Sequence, residues 1–293
     1  MQKKVFIIII NFNGWPDTKE CLESLSRVAY DNFEVVLIDN ASKSDYRLST
    51  DSYRFKINVI YNKENLGFAD GNNQGIKIAL EQGADYVLLL NNDTTVEPDF
   101  LKKLIEAGEK DKLYGVLGPV IYCVDEPEKI WFAGGRFNRL KTRGSHILSK
   151  PDEELKKVDY ITGCCLLVKK EVIEKIGLLN KDYFLYYEDG DWCLRAKKTG
   201  YLSGLVGSAK IYHKQSRSTQ EFSYPYVYYH SRNGLIFGER FGSKLTVYFL
   251  SFWIFLKQVA KLAVGYKRNW ARPVLRGVWD FWVGKKGKLE GYY

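Results

Sequence analysis

The chain has 293 residues, 45% hydrophobic and 27% charged, enough for one large domain, or one domain with an appendage, around an ample core. Its five cysteines (Cys21, Cys123, Cys164, Cys165, Cys193) are an odd set without C-x-x-C spacing, which argues against a disulfide framework and a structural zinc site and makes a reducing cytosol the simpler setting. The net charge of +9 lies wholly in the tail, since 12 Lys/Arg face 3 Asp/Glu from Arg232 onward; a docking surface for an anionic partner, lipid or nucleic acid, is thereby confined to that region.

Met1-Gln2-Lys3-Lys4 is basic, but the apolar run Val5 to Ile10 is too short for a signal peptide and leads straight into Asn11, so it reads as the first core strand. Asn11-Phe12-Asn13-Gly14 is the turn leaving it; Pro16 suits a first helical turn, and Leu22, Leu25 and Val28 follow at helical spacing. Val35 to Ile38 is a second buried strand, ending at Asp39-Asn40 before a polar loop through Ser44-Asp45, and Ile57 to Tyr61 is a third. A Gly/Asn-rich stretch, Asn65 to Gly75, leads into a helix carrying Ile76, Ile78, Ala79 and Leu80 and stopped at Gly83. Tyr86 to Leu90 then surfaces abruptly at Asn91-Asn92-Asp93, as a strand buried on both faces does at its carboxyl end. Strands alternating with helices predict an α/β protein with a doubly wound, mainly parallel sheet, which binds ligands at the carboxyl ends of its strands.

Beyond Asp93, Pro98 opens a helix through Leu101, Leu104 and Ile105, and Gly115 to Ile121 is a strand. Cys123 to Lys157 is polar and aperiodic, expected as loops over the acceptor side. Tyr160 to Val168 reads as a strand, Glu171 to Ile176 as a short helix, and Phe184 to Arg195 as an aromatic segment passing through an acidic turn into a helix. Ala209 to His213 is the last strand. Tyr226, Tyr228, Tyr229, Arg232 and Asn233 share a helix; Leu245 to Val264, interrupted by Lys257 and Lys261, is a poor membrane span and a better interfacial helix. Trp270 to Trp282, with Arg272, Arg276 and then Lys285-Lys286, repeats the aromatic-basic character. The expected division is a main domain over 1–240 and a C-terminal amphipathic helical region over 241–293.

Polar chemistry is delivered to element ends at four places: Asp39, Asn65-x-Gly67, Asn91-Asn92-Asp93 and Glu188-Asp189-x-Asp191. A single Asn-Asp pair is as readily a turn cap, but a plain fold does not require four such placements. Asp93, flanked by two amides and two threonines, offers hard oxygen ligands for a divalent cation and a phosphate.

The set Asn11-Phe12-Asn13-Gly14, Val36-Leu37-Ile38-Asp39-Asn40-Ala41-Ser42, Asn65-Leu66-Gly67-Phe68-Ala69, Asn91-Asn92-Asp93, Gly163-Cys164 and Glu188-Asp189-Gly190-Asp191-Trp192-Cys193-Leu194-Arg195 resembles family 2 glycosyltransferases, most of all the rhamnosyltransferase-type branch that builds bacterial surface polysaccharides. The match runs from residue 4 to 240 in the family's order. It implies a Rossmann-like GT-A fold, a nucleotide-diphosphate sugar donor, a divalent cation (magnesium or manganese) and inversion at the anomeric carbon. Asp93 matches the last Asp of the family's D-x-D motif; Asn91 at the first position leaves a single carboxylate for the metal. His213 matches a late metal-binding histidine, the alternative being an ordinary strand-end residue. Asp39 matches the carboxylate that hydrogen-bonds a pyrimidine N–H, the alternative being a cap. Asn11, Asn13 and Asn92 lie in the motifs around the nucleotide sugar. Gly67 and Gly71, spaced neither as G-x-G-x-x-G nor as a P-loop, read as allowing close backbone approach to it, with Asn65 and Asn72 as polar contacts.

Asp189 matches the family's catalytic base. Glu188 either contacts the acceptor or supports Asp189, and Asp191 reads as a charge complementing the helix dipole. Trp192 stacks on an acceptor sugar or packs in the core; Arg232 resembles a position near the diphosphate or is a surface arginine. The expected reaction moves a sugar from dTDP-rhamnose, or next a UDP-hexose, to a cell-surface polysaccharide or polyprenyl-linked glycan at the cytoplasmic face of the membrane, with the tail on anionic lipid and no nucleic acid involved. A nucleotidyltransferase also ends its sheet in metal-binding carboxylates, but usually needs a Gly-rich basic loop where this chain has Asn11 to Gly14. A nucleic-acid-binding module could stack bases on the Lys/Trp tail, yet the apolar run Leu245 to Leu256 fits lipid better.

Overall fold

Apolar runs without polar alternation need cover on both faces, and most of the chain is arranged to supply it. The computed structural model describes residues 2–43, 49–50, 52–138, 143–214 and 223–292; the loop expected at Ser44-Asp45 lies outside them. In chain order the elements are β1 (Val5–Asn11), α1 (Trp15–Leu25), β2 (Phe33–Asp39), β3 (Ile57–Tyr61), α2 (Gly67–Glu81), β4 (Tyr86–Asn91), β5 (Thr94–Val96), α3 (Phe100–Lys110), β6 (Tyr114–Cys123), β7 (Ile130–Phe132), β8 (Gly135–Asn138), β9 (Arg143–His146), β10 (Leu155–Val158), β11 (Cys165–Lys169), α4 (Lys170–Ile176), α5 (Glu188–Lys198), β12 (Leu202–His213), α6 (Tyr224–Phe241), α7 (Lys244–Ala263) and α8 (Arg268–Trp282).

One mixed sheet runs β10-β12-β6-β11-β4-β1-β2-β3, with β5 added to β12 and β7 to β6; β8 and β9 pair separately. β1 is parallel to β2 and β4, β2 to β3, and β6 to β12. β11 alone is reversed between β4 and β6, and this reversal matters for function. It brings the amino end of β11 to the sheet edge where β4 ends: Cys165 pairs with Leu90, and the Asn91 N–H donates to the Cys164 carbonyl at 2.9 Å. β5 folds back on β12 so that Thr94 pairs with His213, which sets Asp93 beside that histidine. A single edge therefore collects Asn11, Asp39, Asn91 to Asp93, Thr162 to Cys164 and His213.

Several elements differ from the sequence expectation. The stretch 123–157 is not all loop: it holds β7 to β10, strands of 3 or 4 residues, too short for a periodic signal. β12 begins at Leu202 rather than Ala209, and a register shift between Val206 and Lys210 disguises its first half. Residues 160–164 are an irregular approach to β11. The Gly/Asn-rich stretch from Gly67 is already α2, and the acidic turn is the first turn of α5. All five cysteines are buried, and burial pushes Cys21 and Cys193 up to about 12, so both stay protonated and unreactive.

The main core fills both faces of the sheet; a second cluster joins Val227 and Leu235 of α6, Val247 of α7, and Val274, Val278 and Phe281 of α8. The expected boundary at 240/241 falls in the last turn of α6, one residue before its end, and α6 shares this second cluster with α7 and α8. Leu89 sits in the centre of β4, fully buried. Leu89→Ala is expected to lower unfolding free energy by about 2–5 kcal/mol, measured as a shift of the denaturant midpoint at constant slope.

Candidate active site

A cleft of about 950 Å³ opens over the collecting edge, lined among others by Asn13, Asn40, Asn65, Gly67, Asn72, Asn92, Asp93, Gly163, Tyr186, Glu188, Asp189 and His213. Nine residues expected from the sequence at the site thus share one cavity.

At one end, Asp93 Oδ1 lies 3.2 Å from His213 Nε2, with side chains 12% and 4% exposed. The contact lacks hydrogen-bond geometry, and both atoms are otherwise buried without a partner. Two buried, orphaned lone-pair atoms facing each other suit a shared cation. Among the described residues no third His, Cys, Asp or Glu joins them, so a divalent ion held here would complete its shell with donor oxygens and water. The Trp131 ring packs 4.5 Å from the His213 ring and fixes its plane.

At the other end, Asp189 lies in the first turn of α5. Its Oδ2 accepts from the Gly163 N–H at 3.0 Å and its Oδ1 from the Gly190 N–H at 2.6 Å. Burial pushes its carboxyl above the usual aspartate range, opposed by those two donors. Gly163 is needed because a Cβ there would lie 2.9 Å from the Phe68 ring. Glu188 is more deeply buried; burial first, and the neighbouring Asp189 charge second, push it well above the ordinary glutamate value, and its Oε2 has no hydrogen-bond partner.

The polypeptide reaches these two carboxylates by an unusual path. Phe184, Tyr186 and Tyr187 have φ of 64°, 68° and 77°, a left-handed conformation that costs bulky residues on the order of 1–3 kcal/mol each. The Phe184 carbonyl is gripped by the Phe68 N–H at 2.7 Å, and at Gly67 a Cβ would lie 2.4 Å from that same oxygen. Gly67 therefore permits α2 to approach this segment; its φ of 76° also requires glycine.

Four sequence expectations are corrected. Trp192 does not face the acceptor: it is buried in the core with Nε1 donating to the Gly177 carbonyl at 2.8 Å. Arg232 is neither at the diphosphate nor on the surface. It is 1% exposed, and its guanidinium donates to Asn233 Oδ1, the Tyr228 hydroxyl and the Tyr183 carbonyl at 3.0, 3.1 and 3.2 Å. Asn11 does not line the cleft but organises its floor, donating to Asp39 Oδ1 and Ser42 Oγ while accepting from Gly14 N and Thr18 Oγ1, each near 3 Å. Asp191 is more than a helix-dipole charge: fully buried, it accepts from the Tyr183 hydroxyl and pairs with Arg195 at 2.5 Å and Arg240 at 3.0 Å. Asp39 stands at the end of β2 beneath these groups, held by Asn11 and Ser42.

Sequence reasoning missed His146 and His230. With His213 they are all three histidines of the chain, and all line the cleft. They come from unrelated elements, so no motif links them; their rarity was the one available signal. His230 stacks on Tyr186 with ring centres 4.3 Å apart, and burial drives it down to about 4, which keeps the imidazole neutral. Asn40 was also overlooked: its amide bridges Asn65 Oδ1, the Gly67 carbonyl and the Leu66 N–H, tying β2 to the start of α2.

The family model "Glycosyl transferase family 2" matches residues 6–177, more than half of the chain. The chain belongs to the family 2 glycosyltransferases. Two curated relatives are a dTDP-rhamnosyl transferase, RfbF, of Shigella flexneri (25% identical; 73% of this chain, 70% of the relative) and an N-acetylglucosaminyl-diphospho-decaprenol L-rhamnosyltransferase of Mycobacterium tuberculosis (25% identical; 79% and 82%). Among solved structures, a mannosyltransferase from Pyrobaculum calidifontis, in complex with GDP-Man and Mn2+, superposes with a TM-score of 0.60 at 15% identity, over 98% of this chain and 89% of that one. The fold of this glycosyltransferase is thus GT-A, with a C-terminal helical extension.

The raised value of Glu188 has a definite sign. A carboxyl whose folded value exceeds its unfolded one favours folding at low pH, and that contribution is lost as pH rises through the folded value. Glu188→Gln should match the wild type in thermal stability near pH 4 and exceed it increasingly above pH 5; a pH series of melting temperatures checks this.

Proposed function

We propose that this glycosyltransferase moves a sugar, rhamnose by preference, from a pyrimidine nucleotide diphosphate to a glycan or polyprenyl-linked acceptor, inverting the anomeric carbon. The observation that carries the reading is that one cleft holds the Asp93–His213 pair and the raised, backbone-anchored carboxyl of Asp189. An inverting transfer is a single displacement. The acceptor oxygen attacks the anomeric carbon while its proton passes to the Asp189 carboxylate, and the C–O bond to the diphosphate breaks as the nucleoside diphosphate leaves. Burial lifts the basicity of Asp189 toward what such a base needs, and the N–H groups of Gly163 and Gly190 aim it.

Asp93 and His213 would hold a magnesium or manganese ion, which supplies charge neutralisation for the departing diphosphate when bound. Asp39, at the end of β2 beside the Asn13 turn, takes the pyrimidine N–H. Asn65, Asn72 and Asn92 frame the sugar and phosphates between these ends. The aromatic wall of Tyr186, Tyr226 and His230 takes the acceptor face in place of Trp192, because its rings line the cleft next to Glu188. The name of the Shigella relative supports dTDP-rhamnose as donor, and that of the mycobacterial one a lipid-linked acceptor.

A lipid-linked acceptor fits the extension. Among the described residues, α7 is the one helix long and apolar enough to cross a membrane, with a mean hydropathy of 1.3. Its Val247 and Ser251 pack inward, the latter accepting from Trp282 Nε1 at 2.8 Å, while Phe249 (63% exposed) and Trp253 (54%) point out. With Lys244, Lys257 and Lys261 on the same helix, this is the pattern of a helix lying in the headgroup plane of an anionic membrane at the cytoplasmic face.

Three measurements test the reading. Manganese with dTDP or UDP should raise the melting temperature of the wild type, and Asp93→Ala should lose the metal-dependent part; no shift with any nucleotide would sink it. Asp189→Asn should retain that nucleotide shift and lose about 10²–10⁴ in kcat, with the acidic limb of the wild-type pH–rate profile marking the Asp189 titration. Phe249→Glu combined with Trp253→Glu should abolish sedimentation with phosphatidylglycerol vesicles and leave transfer to a soluble acceptor intact.

A further inference from the structure

Asn233, fully buried on α6, faces the left-handed segment before α5. Its side-chain NH₂ donates to the carbonyls of Leu185, Tyr183 and Tyr186 at 2.7, 2.9 and 3.1 Å. Two N–H groups shared among three carbonyls hold that backbone in the conformation that turns those oxygens toward a single point. The oxygen of the same amide accepts from Arg232 Nε at 3.0 Å, which fixes which way the amide faces. Arg232 also donates to the Tyr228 hydroxyl at 3.1 Å; that hydroxyl donates to Asp280 Oδ2 at 2.8 Å, and Asp280 is buried on α8. Further on, the Gly287 N–H donates to the Asp182 carbonyl at 2.7 Å and Lys286 pairs with the Asp182 carboxylate at 2.8 Å.

Resting on the transfer proposed above, we infer that Asp280, Tyr228, Arg232 and Asn233 form a positioning relay, through which the C-terminal extension holds the Tyr183–Tyr187 backbone and thereby sets the place of Asp189. None of the four lines the cleft, so none acts on the substrate directly. The relay explains why three bulky residues stay left-handed without a glycine: the carbonyls of Tyr183, Leu185 and Tyr186, within and beside that segment, find hydrogen-bond partners in Asn233 and Arg232 that a relaxed backbone would lose. It also makes the extension part of the catalytic apparatus rather than a separate membrane anchor, because its α8 supplies the buried carboxylate at the far end.

The test uses the full chain with Asn233→Ala, Asn233→Asp, Arg232→Lys, Asp280→Ala and Asp280→Asn. Three readouts are taken: donor and acceptor kinetics, the melting shift given by nucleoside diphosphate with manganese, and amide exchange of a peptide spanning residues 184–189. Asn233→Ala and Asn233→Asp should lower kcat about 10²-fold with donor KM within about threefold. They should keep the nucleotide-induced melting shift and speed exchange in 184–189 but not in β1 to β4. Asp280→Asn, which can still accept from Tyr228, should stay close to wild type, whereas Asp280→Ala follows Asn233→Ala. Unchanged kcat and exchange in the Asn233 variants would overturn the relay, and so would exchange raised throughout the sheet together with loss of the nucleotide shift. If the wild type transfers no sugar at all, the proposed reaction fails, while the exchange of 184–189 still decides the relay.

Discussion

The carboxylates at the start of α5 are only as well placed as the backbone that precedes them. That backbone is held in a left-handed conformation unfavourable for phenylalanine and tyrosine, so it persists only because its surroundings over-determine it. Hydrogen bonds from Phe68 on one side and from Asn233 and Arg232 on the other supply the constraint. Gly67 lets α2 come close enough to make the first of these, and α6 exists in its observed place to make the second. Rigid second-layer support of this kind distinguishes a carboxylate that is merely present from one aimed within the tolerance that proton transfer requires.

The opposite end of the cleft depends on topology. Parallel strands deliver their carboxyl ends to one edge, which accounts for Asp39 and Asp93. The reversal of β11 brings Gly163 to the same edge through the other end of a strand, and β5 doubling back on β12 brings His213 against Asp93. Sheet hydrogen bonding on both sides thus fixes the relative position of the Asp93–His213 pair and of the Gly163 N–H that aims Asp189. In the proposed reaction, cation binding and proton acceptance would be separated across a cleft whose floor is the hydrogen-bonded edge of the sheet.

In the proposed reading the C-terminal extension has two tasks on opposite faces. Its inner face packs α8 and the following strap onto α6 and Asp182, closing the relay. Its outer face leaves phenylalanine and tryptophan in water beside lysines, an arrangement that costs solubility unless a lipid surface covers it. A lipid-linked acceptor would then meet the cleft at the depth set by α7, which packs against the α8 that carries Asp280.

Much of this was legible in the sequence. Apolar runs ending in Asn and Asp identified β1, β2 and β4 and the edge where chemistry collects, because strand burial and turn chemistry are local properties. The spacing around Asn91 to Asp93 and Glu188 to Asp189 marked both ends of the cleft for the same reason. Trp192 was left open between acceptor and core, and Arg232 and Asn11 were misplaced, because the same side chain serves a ligand or a buried network with equal local propensity; only packing partners far along the chain, such as Gly177, Tyr183 and Asp39, decide between them. The short strands between Cys123 and Lys157, the pairing of His213 with Asp93 and the grip of Asn233 on three carbonyls rest on contacts between segments distant in sequence. Local chemistry determined what each segment could offer; long-range pairing and burial decided which offers meet.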